Sequence, residues 1–172
     1  MTWTAPQPDD LADGPLVGPE RPILEGFLAS QRRDLLVRCA GLTGEQLAVR
    51  AVPPSNLSLL GLVRHLAKVE RIWLRQRIAA LDIGSLYDPA LGWDHDFDVL
   101  DPDAAPDDFA RYAEECRLAD EAVAAIPLDH EVEVHGRPHS LRLVYAHLIA
   151  EYARHNGHAD LLRERIDAGT TA

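Results

Sequence analysis

The chain is poor in cysteine, in basic residues and in long apolar runs. Its two cysteines, Cys39 and Cys116, form no C-x-x-C pair, and each lies within a helical pattern. We interpret them as two reduced, half-buried thiols of a cytoplasmic protein rather than as a disulfide or a reactive centre.

Basic residues are outnumbered, with 17 Lys and Arg against 28 Asp and Glu, for a formal net charge of −11. Binding to nucleic acid requires clustered Lys and Arg that release counterions from phosphate. Docking on anionic lipid likewise requires clustered positive charge. We therefore expect neither nucleic acid nor a membrane as a partner.

No apolar run approaches the roughly 20 residues that span a bilayer. The first residues, "MTWTAPQPDDLADGPLVGPE", contain neither a basic segment nor an apolar core of the kind found in secretory signals. Pro, Gly and Asp are frequent there, and we expect residues 1–19 to form a mobile or surface-draped arm. The length of 172 residues suits one domain, which we place at 20–172.

Apolar residues recur at helical spacing in four long segments. The sequence predicts helices over about 22–41, 58–81, 106–126 and 140–168. Ser58 and Ser140 stand where side-chain caps belong. Thr43 has capping-box spacing to Gln46, which indicates a further brief helix.

Two segments do not fit a helix. Residues 82–107 are dense in Asp, Pro and Gly, and predict a long connection, which in a compact domain is often functional. Alternation around Val132 and Val134, with a turn at Gly136, predicts a small extended arm. The predicted class is all-α: a four-helix bundle with a long connection between helices 2 and 3 and the arm before helix 4.

The last helix contains "EYARHNGH", residues 151–158. On a helical wheel, His155 lies within roughly 30° of the centre of the apolar stripe and Glu151 within roughly 70°. The two residues share one face because they are four apart in the chain. His158 follows near the edge of the same face.

A second imidazole, that of His65, lies beside the apolar stripe of the second helix in "LLGLVRHLAKVERIW". Taken singly, each of these polar residues is ordinary at the rim of a core. Taken together, two imidazoles and the Glu151 carboxylate are the ligand set of an open zinc site or of a non-haem iron site. Both the structural and the metal-binding interpretation stay open on spacing alone.

The motifs "SLLGLVRHLAKVERIW" and "EYARHNGHADLLRERID" resemble the DinB-like superfamily over about 20–168. The closest resemblance is to the branch with mycothiol-dependent maleylpyruvate isomerases and thiol S-transferases. It implies a DinB-like four-helix bundle with His65, Glu151 and His155 as metal ligands. The family often has H-R-G-Q where this chain has H-N-G-H, so His158 takes the Gln place as an outer-shell group, a substrate contact or an acid–base catalyst.

The resemblance implies a metal-dependent S-transferase that activates a low-molecular-weight thiol, mycothiol, for attack on an electrophilic small molecule. Zinc is the first choice of metal, with nickel, iron and manganese as alternatives. A homodimer is also implied. The alternatives are a non-catalytic, stress-associated metal-binding bundle and a metal-dependent hydrolase that uses bound water.

The connection contains "GWDHDFDVLDPD". We expect Trp93 and Phe97 to offer apolar pocket surface and His95 to be an acid–base candidate. The Asp residues around them are interpreted as a solvated loop, because the glycine of a calcium loop is missing. The basic residues of the second helix are interpreted as a solvated helix face: Arg71, Arg75 and Arg77.

Overall fold

The computed structural model describes residues 2–10, 14–92 and 94–169, with the backbone alone at Pro89. The chain is mostly helical, as the all-α class predicts. Its helices are α1 Glu20–Cys39, α2 Gly44–Leu47, α3 Leu59–Glu70, α4 His95–Asp98, α5 Ala105–Val123 and α6 Leu141–Gly169. A π-helix, Arg71–Ile78, continues α3, and the two strands are β1 Glu131–Val134 and β2 Arg137–Ser140.

The predicted caps are present at three helix starts. Ser58 Oγ accepts a hydrogen bond from the Gly61 amide at 3.1 Å. Thr43 and Gln46 form a reciprocal capping box at α2. Ser140 Oγ accepts from the amide three residues further on, at 3.2 Å. These short side chains satisfy amides that the first helical turn leaves without partners, which is why local sequence located the starts well.

The second long helix differs from its prediction in one respect, since it changes from α to π geometry at Arg71. Apolar spacing of three and four residues does not distinguish the two forms, and the sequence analysis missed the change. A π segment inside a helix is rare and is frequent at functional sites. The segment also turns its side chains relative to those of α3.

The long helices pack around one apolar core. α1 lies mainly against α6, whereas α3 and the π-helix lie mainly against α5, and α6 also contacts α3. The largest fully buried side chains include three tyrosines, which are Tyr112, Tyr145 and Tyr152. The face of α6 that enters this core therefore carries aromatic and polar groups as well as aliphatic ones.

The predicted extended arm is an antiparallel hairpin of β1 and β2, with Val132 opposite His139 and Val134 opposite Arg137. Its turn is made by His135 and Gly136, both with positive φ, 51° and 74°. Glycine adopts this conformation without strain, so the turn predicted at Gly136 is confirmed.

The described part of the N-terminal arm, residues 2–10, lies on the helices. The ring of Trp3 packs edge-on against Phe109, with centroids 5.4 Å apart. Ala5 is 2% exposed, and its amide donates to the Leu42 carbonyl at 2.8 Å. The Ala5 carbonyl in turn accepts from the Gly41 amide.

The predicted long connection is more ordered than a solvated loop. It contains 3₁₀ turns at Pro89–Leu91 and Pro102–Ala104, with α4 between them. α4 lies against the start of α3 at Gly61, where an added Cβ would come within 3.0 Å of the Phe97 ring. The missing side chain at Gly61 thus allows the connection to approach α3 closely. Trp93 lies outside the described residues.

Among the described helices, none is long and apolar enough to cross a membrane.

A buried ion pair joins α1 to the end of α3. Glu70 is 0% exposed, and its carboxylate accepts from the Arg32 guanidinium at 2.7 and 2.9 Å. It also accepts from the Tyr152 hydroxyl of α6 at 2.8 Å. Arg32 extends the network to Asp120 of α5 at 2.9 Å, so one guanidinium links three of the long helices.

Replacing Glu70 by Gln should destabilise the fold by about 3–5 kcal/mol, because it leaves a buried guanidinium without its counter-charge. Urea denaturation at equilibrium, followed by circular dichroism, measures the change in the free energy of unfolding. The matched control is Glu114→Gln, which removes an exposed partner of Arg117 and should cost under about 1 kcal/mol. Equal effects of the two substitutions would show that the buried pair has no special role.

Candidate metal centre

Three side chains predicted from the sequence converge between α3 and α6. His65 Nε2 lies 3.6 Å from Glu151 Oε1, and His155 Nε2 lies 3.2 Å from the same oxygen. One donor atom from each of the three residues lies within 4.8 Å of the other two. The structure therefore brings together all three residues that the resemblance marked as ligands.

Helix geometry explains the convergence. Glu151 and His155 are one turn apart on α6, so their side chains lie on the same face. α3 packs against α6, and the His65 side chain projects from α3 toward Glu151 and His155. The rings of His65 and His155 meet edge to face, with centroids 4.9 Å apart.

His65 is oriented by a buried carboxylate that the sequence analysis did not select. Its Nδ1 lies 2.8 Å from Asp96 Oδ2, and Asp96 is 0% exposed. Lys68 Nζ donates to the other Asp96 oxygen at 2.6 Å. Burial by itself would raise the pKa of Asp96, but the hydrogen bonds from His65 and Lys68 lower it below its ordinary value. Asp96 is thus an anion that accepts a hydrogen bond from Nδ1–H of His65.

This hydrogen bond fixes the tautomer of His65, leaving the lone pair on Nε2. Among the described residues, His65 Nε2 is buried without a hydrogen-bond partner. A buried, unpartnered acceptor is costly in a native protein unless a further group binds it. A histidine whose second nitrogen donates to a carboxylate is the usual arrangement of a metal ligand.

The other two members of the trio have the protonation states that a ligand needs. Burial, together with the neighbouring His65 ring, lowers the pKa of His155 to about 4, so this imidazole is neutral near neutral pH. Burial would raise the pKa of Glu151, but its interactions with the His155 imidazole and the Arg154 guanidinium lower it. The neutral His155 imidazole and Nε2 of His65 therefore face one carboxylate.

The spacing fits a divalent metal. Two donors at 2.0–2.1 Å from a tetrahedral ion are about 3.3 Å apart. The separations of 3.6 and 3.2 Å around Glu151 Oε1 are close to this value. Two nitrogens and one oxygen would leave at least one coordination position for a substrate. The donor set and its geometry therefore fit the group that the sequence implied.

The two predicted catalytic histidines lie in different places. His158 is half-buried on α6, with Nδ1 3.4 Å from Nδ1 of His155 and their ring centroids 5.4 Å apart. It therefore adjoins the trio on the side of His155 away from Glu151. His95 does not join the trio, and instead lines a neighbouring pocket with Tyr87 and Lys68.

Phe97 stacks on the His65 ring at 4.8 Å between centroids, so the connection does supply apolar surface to the site. The interpretation of the Asp residues as a solvated loop is wrong for Asp96, which is fully buried. The sequence contains a weak indication of a nearby carboxylate, because Lys68 lies one turn from His65 and needs a counter-charge. The sequence could not identify which Asp of the connection supplies it.

Arg64 fastens the connection beside His65. Its guanidinium donates to both carboxylate oxygens of Asp108 at 3.0 Å and to the Asp96 carbonyl at 3.3 Å. The Tyr87 hydroxyl donates to the Arg64 carbonyl, and the Tyr87 ring lies under the guanidinium at 4.4 Å. This residue was missed because a single Arg in an apolar stripe is not distinctive in sequence.

The interpretation of the basic residues as a solvated face is also wrong. Arg71 and Arg75 both donate to the carboxylate of Glu115, which is 4% exposed, at 2.7 and 2.5 Å. Arg77 lies flat on Trp73, with its guanidinium carbon 4.1 Å from the ring centroid.

Both cysteines are free and buried, more deeply than the sequence analysis expected. Burial raises the pKa of Cys39 to about 12. Burial, reinforced by the nearby Glu70 carboxylate, also raises the pKa of Cys116 well above its usual range. Neither thiol is suited to be a nucleophile, since the thiolate is the reactive form.

Both thiols should therefore react with Ellman's reagent far more slowly than a free thiol, because the thiolate fraction falls about tenfold for each unit of pKa. The release of the coloured thiolate at mildly alkaline pH measures this directly. The same protein in concentrated guanidinium chloride is the control and should titrate as two thiols per chain. Rapid reaction of the folded protein would contradict the structure around these residues.

A family model described as mycothiol S-transferase matches residues 23–168, which include the trio, Asp96 and both predicted catalytic histidines. No curated protein and no solved structure gave a match. Because the matched region covers most of the chain, the protein belongs to the mycothiol S-transferase family, a DinB-like family.

Proposed function

We propose that the protein is a metal-dependent S-transferase that joins mycothiol to an electrophilic small molecule. Membership of the family supports mycothiol as the thiol. The observation that carries the metal dependence is the buried Nε2 of His65, which has no partner among the described residues and faces Glu151 and His155. A thiol, rather than a side chain, is proposed as the nucleophile because both cysteines are buried.

In this proposal His65, Glu151 and His155 hold one divalent metal. Nitrogen and oxygen donors suit zinc first, with nickel, iron and manganese as alternatives. When bound, such a metal deprotonates a coordinating thiol and so supplies a nucleophile at neutral pH.

The chain's own residues prepare the site for this role. Asp96 holds the proton of His65 on Nδ1 and directs Nε2 toward Glu151. Lys68 keeps Asp96 anionic, and the low pKa of His155 keeps its imidazole in the neutral form that a metal requires. The negative charge of Glu151 would partly neutralise the positive charge of the ion. Phe97 covers the His65 ring and limits the access of water from that side.

The two remaining histidines are proposed for proton handling and substrate contact. His158 contacts His155 at its outer nitrogen, where it can fix the ring or exchange a proton. His95 lies in the neighbouring pocket, where it can contact the electrophile.

At the level of architecture, we propose a DinB-like four-helix bundle over 20–172, preceded by the arm 1–19. The mutual packing of α1, α3, α5 and α6 around one core supports it. A cytoplasmic location is proposed because a low-molecular-weight thiol stays reduced there. The homodimer implied by the resemblance stays a prediction.

His65→Ala and His155→Ala should each remove most of the bound metal, since each takes away one of three protein ligands. Metal per chain is measured by atomic emission after loading and gel filtration. The control is His130→Ala, which removes an exposed imidazole. Metal content unchanged in both site variants would overturn the proposed ligand set.

Activity is tested by the same proteins with mycothiol and a series of alkyl halides, epoxides and activated alkenes. Chelation should abolish turnover and added metal should restore it. Turnover that needs metal but not thiol would instead indicate hydrolysis by bound water. Metal binding that no thiol perturbs, without turnover of any electrophile, would indicate a non-catalytic metal-binding protein.

Asp96→Asn should weaken metal binding about 10–100-fold, because it removes the charged acceptor that orients His65. Competition with a coloured chelator measures the affinity. Asp94→Asn, which changes an exposed carboxylate two residues away, is the matched control and should leave the affinity unchanged. An equal effect of the two changes would mean that general charge, not the hydrogen bond to His65, is responsible.

A further inference from the structure

A pocket of about 450 Å³ lies beside the candidate metal centre, between the second long helix and the connection. Its volume lies within the range of small-molecule sites. The helix contributes Lys68, Ile72 and Gln76, and the connection contributes Tyr87 and His95. Apolar and polar groups thus face each other across a cleft in which only His95 has so far been given a substrate contact.

The pocket begins one turn from a proposed ligand. Lys68, Ile72 and Gln76 lie four residues apart along the second long helix and all line the pocket, and His65 precedes Lys68 by three residues. Asp96, which hydrogen-bonds His65, lines the opposite wall. The pocket is therefore built from the same two elements that position His65.

Arg77 lines this pocket and has an unusual charge environment. In the part of the chain that the structure describes, every Arg and Lys has a carboxylate partner except Arg77, Arg137 and Arg165. The latter two are exposed, whereas Arg77 is half-buried. In a chain with a net charge of −11, a half-buried cation without an acid is conspicuous.

Arg77 is held in place by packing rather than by an ion pair. Its guanidinium lies on the Trp73 ring at 4.1 Å, which leaves its N–H groups free to donate at the edge. Trp73 is itself supported by His147, with ring centroids 4.5 Å apart. Partial burial lowers the pKa of Arg77, as expected for a cation that lacks a counter-charge.

A second polar group in the pocket also lacks a partner. His95 Nδ1 is buried and has no hydrogen bond among the described residues. Unsatisfied buried polar atoms are uncommon in folded proteins, and they often mark the position of a ligand. Two such groups in one pocket indicate a ligand with both a negative charge and a hydrogen-bonding group.

We propose that this pocket binds the electrophilic co-substrate, and that the electrophile carries an anionic group, such as a carboxylate, which pairs with Arg77. The inference rests on the proposed S-transferase function, and it narrows the substrate from electrophiles in general to anionic ones. An apolar body would lie along Ile72, while the reactive carbon points toward the metal centre.

The reaction with an alkyl halide balances without a further reagent. The thiol loses its proton to solvent, and its sulfur forms a bond to the halogen-bearing carbon. The carbon–halogen bond breaks, and the halide leaves with the electron pair. Arg77 takes no part in these steps, since it recognises a distant anionic group and orients the molecule.

A matched pair of substrates tests the charge. 4-(Bromomethyl)benzoate and 4-(bromomethyl)benzamide have the same shape and reactive carbon but differ by one charge. In Arg77→Met, which keeps the apolar stem on Trp73, KM should rise about tenfold more for the carboxylate than for the amide, the magnitude of a lost charge-assisted hydrogen bond. Arg77→Lys should recover part of the difference.

The matched control is Arg165→Met, which removes the same charge from an exposed, unpaired arginine outside the pocket. Arg165→Met should leave KM unchanged both for the carboxylate and for the amide. An equal change in KM for both electrophiles in Arg77→Met would overturn the proposal. A rise in KM for the thiol instead would assign Arg77 to the thiol and would also overturn it.

A binding experiment separates this inference from the proposed function. Unreactive 4-methylbenzoate is titrated into the wild type, Arg77→Met and Arg165→Met by calorimetry, with no thiol present. Weaker binding confined to Arg77→Met supports the pocket even if no electrophile is turned over. The absence of turnover would then refute only the transferase function. Turnover with no carboxylate binding, or equal binding by all three proteins, would refute the pocket alone.

Discussion

Among the residues that the structure describes, four carboxylates lie almost out of contact with solvent, and each is neutralised by basic side chains of another element: Glu70, Asp96, Asp108 and Glu115. An ionised carboxylate is too costly to bury alone, so each burial requires an opposite charge at hydrogen-bonding distance. The second long helix supplies the bases for three of them. The position of the connection and of α5 on that helix depends on these pairs.

The candidate metal centre is a consequence of that arrangement. Arg64 ties the connection and α5 to α3, and the next residue along the helix is His65. Once the connection is fixed there, Asp96 reaches His65 and Lys68 together. The geometry of the proposed ligand set thus depends on residues outside it, in a segment without a strong helical pattern. Arg77 differs from its basic neighbours because no acid of the described chain meets it.

Local sequence was sufficient for much of the fold. Caps at Ser58 and Ser140, together with apolar spacing at three and four residues, located two of the long helices, and alternation around Val132 and Val134 located the hairpin. The π geometry at Arg71 and the short helix α4 were not predictable, since neither changes the apolar period in a recognisable way. The burial of Asp96 was not predictable either, because the Asp residues of the connection occur in similar local sequence and, among those described, only Asp96 is buried.

The sequence alone determined the mostly helical class, the family resemblance, and three ligand candidates, since spacing on a helix and short motifs are properties of local chain. Tertiary structure decided which charges are buried and which partner each one meets. It placed His65 opposite Glu151 and beside the Asp96 carboxylate, and it placed His95 in a separate pocket. It also left Arg77 without an acid among the described residues. These outcomes depend on contacts between residues distant in the chain, and the physical reason is that burial, not composition, sets the energy of a charge.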